Sequence, residues 1–132
     1  MGAIANMIDD EKIIVDAQAS ITIRRYIGGI TGGVTLDVDG FPDNVIKSGH
    51  PVIFNVKEGI YKPFPISNGA FGTLPEGYEY KGVVVVSQPK ARPIVAVMNI
   101  GEVNDKAMPY ELTAEMRTAL KAAIPTLIFT HD

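Results

Sequence analysis

The chain has no cysteine. Disulfides, thiolate nucleophiles and cysteine-ligated zinc sites are therefore excluded. Histidine is almost as scarce, with only His50 and His131. A nucleophilic triad would need an activated Ser or Thr beside one of them, and no Gly-x-Ser-x-Gly elbow is present. Basic clusters are also lacking. Arg24-Arg25 is the one adjacent pair, in a chain of net charge −3 and pI about 5.3. Phosphate backbones demand clustered Lys and Arg, so nucleic acid is not the expected partner. No run approaches the ~18 apolar residues of a membrane helix. The opening Met-Gly-Ala-Ile-Ala-Asn has neither the basic n-region nor the long h-region of a secretory signal. A myristoylation start would want Ser or Thr where Asn6 stands. These absences together lead us to expect a soluble protein of a reducing compartment, or of a particle assembled there, with no catalytic constellation, cofactor or metal.

What is present is β chemistry. The 132 residues suit one domain, and 46% apolar with 20% charged is ordinary for a globular chain. Two β-branched runs, Val83 to Val86 and Ile94 to Val97, read as strands. The polar stretch Ser87-Gln-Pro-Lys-Ala-Arg-Pro93 joins them as the loop of an antiparallel hairpin. Neither run alternates, which predicts cover on both faces, by the chain's own core on one side and by another subunit on the other.

Around this centre, residues 1–20 read as an arm or partly ordered segment, and residues 21–132 as one β-rich domain. Ile21 to Ile27 and Val34 to Val38 read as strands, the second with Val34, Leu36 and Val38 on one face. Val52 to Val56 is a further strand. Ile60 to Ile66 is extended, and its prolines place it at an edge. Ser67 to Tyr78 reads as a long glycine-rich loop. Thr113 caps one short C-terminal helix bearing Leu112, Met116 and Leu120 on one face, and Pro125 ends it before a last strand. The expected fold is mostly β with one short C-terminal helix.

Three constellations invite a chemical reading. Gly28-Gly-Ile-Thr-Gly-Gly33 lacks both the P-loop end and the G-x-G-x-x-G spacing, and reads as a turn. Asp37, Asp39 and Asp43 fall short of a calcium loop, because Ser48 stands where a terminal glutamate is required. Tyr61, Phe64, Phe71, Tyr78 and Tyr80 crowd one span. They read either as the bulky part of a small core or as a contact patch between protomers. Val84 and Val86 of the central run are the further candidates for that contact.

The order of parts also resembles a known family. Lys47-Ser-Gly-His-Pro51 leads into a strand, then Gly59-Ile-Tyr-Lys-Pro63, then Tyr80-Lys-Gly-Val-Val84. Val95-Ala-Val-Met98, Gly101-Glu-Val-Asn104, a short helix and a β C-terminus follow. Over about residues 45–132 this looks like the head decoration proteins of tailed bacteriophages, the lambda-type and related head-fibre or capsid-stabilising proteins. The resemblance implies a small β-barrel-like or β-tulip-like domain that forms a homotrimer. It implies a place on the capsid surface of a virion assembled in a bacterial cytoplasm. The major capsid protein would be its partner, gripped by an N-terminal arm in which Ile13, Ile14 and Val15 are the apolar contacts. It implies no enzyme activity and no cofactor. The alternative is a small β binding module, a fibre or host-contact part that takes carbohydrate or peptide on the aromatic 60–80 loop.

Overall fold

The structure is a computed structural model that describes residues 21–130. The strands in chain order are β1 (Ile23–Gly29), β2 (Val34–Thr35), β3 (Val45–Ile46), β4 (Pro51–Asn55), β5 (Ile60–Pro63), β6 (Ile66–Ser67), β7 (Ala70–Phe71), β8 (Tyr78–Val84), β9 (Gln88–Pro89), β10 (Ile94–Val95), β11 (Val97–Asn104) and β12 (Leu127–Thr130). A 3₁₀ turn covers Asp105–Ala107, and helix α1 spans Ala114–Ala123. The main sheet has the order β1-β11-β8-β4-β5, with β12 joining β11 as a parallel strand. Three two-stranded ladders accompany it, β2 with β10, β3 with β9 and β6 with β7. The fold is therefore mostly β with one helix near the C-terminus, as expected. The sheets are open among the described residues, so the barrel-like closure does not form.

The main sheet carries a core on each face. Successive strand residues point to opposite sides, and the apolar pairs divide accordingly. Ile53, Val83 and Met98 enter one core, while Val52, Val84 and Val97 enter the other. The first core is closed by Leu112, Met116, Leu120 and Ile124 from around α1. The second is closed by Leu36, Phe41 and Ile46, contributed by the segment that runs over the other face. Of the Val83 to Val86 run, Val83 and Val84 are covered on opposite faces by the chain itself, while Val85 and Val86 are half-buried.

The central hairpin forms, in altered shape. β8 and β11 pair antiparallel through Val84↔Val97 and Val83↔Met98. Ile94 and Val95 leave this ladder and pair with Thr35 and Val34. The supposed loop between the runs contains β9, whose Gln88 and Pro89 face Ile46 and Val45. The long loop after Ile66 likewise contains a hairpin, β6–β7. Asn68 (φ 53°) and Gly69 (φ 73°) turn it, two successive left-handed residues that match a tight primed turn. The first two glycines of the 28–33 cluster belong to β1 itself. A Cβ on Gly29 would lie 1.9 Å from the Val97 carbonyl oxygen, so this is a close-approach glycine.

Helix α1 follows its local code. Thr113 Oγ1 accepts from the Met116 N–H at 3.1 Å, and Glu115 sits in the first turn, Lys121 in the last. Arg117 donates from Nη2 to Asp105 Oδ2 at 2.5 Å, fastening the helix to the 3₁₀ turn. At the sheet edges, β5 lies outermost on one side, as its prolines indicate. The neighbouring segment partly seals it, through the Asp37 N–H donating to the Tyr61 carbonyl at 2.8 Å and a parallel bridge from Leu36 to Tyr61. β1, seven residues long, is the other edge.

Candidate interaction surface

The aromatic group divides into a buried and a half-exposed part. Phe64 (1% exposed), Phe71 (8%), Tyr80 (9%) and Val84 (0%) lie in the protomer's own cores. Phe64 stacks on Tyr80 with centroids 5.7 Å apart and meets Phe71 edge-on at 5.8 Å. Burial raises the Tyr80 phenol above its ordinary value. These four side chains are engaged mainly within one chain, in its cores rather than on its surface. Tyr61, Tyr78 and Val86 remain half-buried. Tyr61 packs against Phe54 at 4.6 Å, Lys81 Nζ lies 5.1 Å from the Phe54 ring centre, and Lys62 Nζ lies 5.9 Å from that of Tyr78. Ile13, Ile14, Val15 and His131 lie outside the described residues.

His50 is a core residue. Its ring is 1% exposed, wedged edge-on between Phe41 and Phe71 at 5.4 Å from each. Nε2–H donates to the Phe64 carbonyl at 2.8 Å. Desolvation lowers its pKa to about 4, against the smaller opposing effects of the Phe64 hydrogen bond and the Asp43 charge. It therefore stands neutral at pH 7.

The acidic group does not converge. Asp37 Oδ1 accepts from the Asp39 N–H at 3.1 Å, a local turn. Asp43 Oδ2 instead accepts from the Tyr110 hydroxyl at 2.7 Å, which raises the Tyr110 phenol. Asp37 and Asp39 border a cleft of about 100 Å³ together with Phe41, Lys62 and Pro65. Among the described residues, no three of His, Cys, Asp and Glu gather to hold a metal ion, and no helix is long and apolar enough to cross a membrane.

The surface that does stand out was missed in the sequence. Ile21 (57% exposed), Tyr26 (54%), Ile27 (61%), Ile100 (39%) and Ile128 (57%) are large apolar side chains in or near β1 and on the strands beside it. Val103, Leu127 and Phe129 point into the helix-side core. By strand alternation, Ile100 and Ile128 point to the opposite face. Gly28, the Cα partner of Ile100, leaves that isoleucine open on one side. Arg24 reaches Glu102 at 3.7 Å on this part of the sheet. The available signal was Ile128, an isoleucine between Leu127 and Phe129 in a strand with one wet face. No protein-family model matches the sequence, and neither a curated protein nor a solved structure matches it.

Proposed function

We propose that this protein is a non-enzymatic structural protein that coats and stabilises the capsid of a tailed bacteriophage as a homotrimer. The observation that carries the reading is the exposed apolar group on and around the edge strand β1. Tyr26 and Ile27 stand on the edge strand itself and Ile100 and Ile128 on strands beside it, and exposed large apolar side chains of this kind suit protein–protein contact. The buried polar side chains support the same reading by facing inward. Ser48, His50, Ser87 and Asp105 are each hydrogen-bonded within the chain. Many weak copies of such a contact sum to tight attachment on a repetitive shell. The major capsid protein is the proposed partner, with Ile13, Ile14 and Val15 as the arm contacts and the virion surface as the location.

Co-sedimentation with empty capsids tests this reading. Full-length protein is expected to pellet with the shells and a chain lacking residues 1–20 to stay in the supernatant. Equal pelleting of both removes the arm from the account, and no pelleting of either removes the capsid. A second reading rests on Tyr61, Phe54 and Tyr78 with their two lysines, a half-exposed aromatic platform of the kind that stacks on sugar rings. Glycan binding abolished by Tyr61→Ala with Tyr78→Ala, in a protein without capsid affinity, would replace the first reading by this one.

A further inference from the structure

Of the six asparagines in the sequence, only Asn68 is followed by glycine. The others precede Met7, Val45, Val56, Ile100 and Asp105. The Asn68-Gly69 step forms the tip of the β6–β7 hairpin, where both residues are exposed and left-handed, with φ of 53° and 73°. Asparagine tolerates that region and suits a two-residue primed turn. A Cβ built on Gly69 would meet nothing within 4 Å, so the space around this residue is open. The carboxamides of Asn55 and Asn104 are instead engaged, their Oδ1 atoms accepting from the Lys57, Glu58 and Lys106 N–H groups at 3.0 to 3.1 Å. The hairpin under the Asn68-Gly69 turn touches both cores. Phe71 belongs to the helix-side core and meets His50, Phe64 and Tyr110 edge-on. Ile66, its Cα partner across the ladder, packs against the other core.

We propose that Asn68 is a site of spontaneous covalent modification, and that its isoaspartyl product opens the β6–β7 hairpin. The Gly69 amide gives its proton to water or hydroxide, and its nitrogen attacks Cγ of the Asn68 carboxamide. The new N–Cγ bond closes a five-membered succinimide as the bond from Cγ to the side-chain nitrogen breaks. That nitrogen takes a proton and leaves as ammonia. Water then opens the ring. Cleavage of the new N–Cγ bond leaves aspartate. Cleavage of the original peptide bond leaves isoaspartate, with the main chain now passing through Cβ and Cγ. Nothing is oxidised or reduced, and water is the sole co-reactant. Glycine hinders the attack least, because it has no Cβ and turns freely. The β-branched Val45, Val56 and Ile100 crowd the corresponding nitrogen at three other asparagines. Aspartate keeps the main-chain length and tolerates the left-handed region, so it leaves the turn in place. Isoaspartate adds a main-chain carbon to a loop whose two residues fix the register. The Ser67↔Ala70 and Ile66↔Phe71 pairing then loses its turn, and Phe71 loses the ladder that holds it among His50, Phe64 and Tyr110. This chemistry needs only the folded chain and water, so it stands apart from the capsid reading.

Full-length protein aged at mildly alkaline pH and body temperature, then digested and read by mass spectrometry, tests the site. The peptide carrying Asn68 is expected to convert at least about tenfold faster than those carrying Asn44, Asn55, Asn99 and Asn104. Equal rates at all five overturn the proposal. Conversion of Asn68 in the urea-unfolded chain with none in the folded protein also overturns it, because the turn would then protect the residue. Hydrogen–deuterium exchange tests the consequence. The isoaspartyl form, separated from the aspartyl form by chromatography, is expected to exchange residues 64–72 about tenfold faster than the parent. Peptides from β4 and β8 are expected to be unchanged, which separates hairpin opening from unfolding. Asn68→Asp carries the added charge without the added carbon, and Asn68→Gly keeps a primed turn without the carboxamide. Both are expected to exchange as the parent does, and Asn68→Gly to stay so on ageing. Unchanged exchange in the isoaspartyl form overturns the opening. Equally fast exchange in Asn68→Asp overturns the role of the added carbon, and the same loosening in aged Asn68→Gly places its cause outside this turn.

Discussion

His50 sits where a histidine is least able to take a proton. Phe41 and Phe71 enclose its ring, and the Phe64 carbonyl accepts from Nε2. A charged imidazolium there would lose its water with no carboxylate in contact to replace it, so the pKa falls to about 4. The unfolded chain binds that proton near the ordinary value of 6.5. Between those two values the unfolded state holds more protons, so stability rises with pH across that interval. Full stability is present above about pH 6.5, and about 3 kcal/mol is lost as the pH falls toward 4. Chemical denaturation at a series of pH values should show this slope, and His50→Gln, which keeps a donor for Phe64, should flatten it. A slope unchanged in the variant would assign the acid sensitivity to the carboxylates. At this scale the sequence was partly legible. His50 before Pro51 in a turn marked it as an improbable catalyst, but its ring partners come from residues 41, 64 and 71, which no local pattern brings together.

Helix α1 was legible almost to the residue because its rules are local. The Thr113 hydroxyl, the Leu112-Met116-Leu120 spacing and Pro125 act within a few residues of one another. Leu120 is fully buried against the sheet. Leu120→Ala should destabilise the fold by about 2–5 kcal/mol, the range for deleting a buried leucine side chain and leaving a cavity. Thr113→Ala should cost about 1 kcal/mol through the lost cap. Thermal unfolding of the two variants beside the parent measures both. Equal losses would mean that the helix face is not the seat of the core. The strands were legible as strands, but their partners were not. Val95 pairs with Val34 and Val45 with Pro89, contacts across more than forty residues that hydrophobic period cannot specify. The Val83-Val84 run shows the same limit. Its lack of alternation announced two covered faces correctly, and only the tertiary path of residues 34–46 reveals that the second cover belongs to the same chain.

At the scale of the whole molecule, the two edges of the main sheet are treated differently. β5 ends in Pro63 and is bridged by Leu36 and Asp37. β1 carries exposed Tyr26 and Ile27 in a seven-residue strand. Natural sheets blunt free edges with charges, bulges, proline or short length, and β1 uses an arginine pair and an irregular register against β11 while still exposing Tyr26 and Ile27. Exposed Tyr26 and Ile27 on such an edge suit contact with another protein surface. Ile27→Lys should therefore separate interaction from folding. Ile27 is 61% exposed and makes no part of either core, so the change should alter folding stability by no more than about 0.5 kcal/mol. The same charge set in a protein contact loses its water, and weaker association with capsids is the expected result. Unfolding curves paired with co-sedimentation measure the two quantities on one sample. Unaltered stability with diminished pelleting places the contact at β1. Unaltered pelleting moves it to another face, and a large fall in stability would show that Ile27 is held by the fold itself.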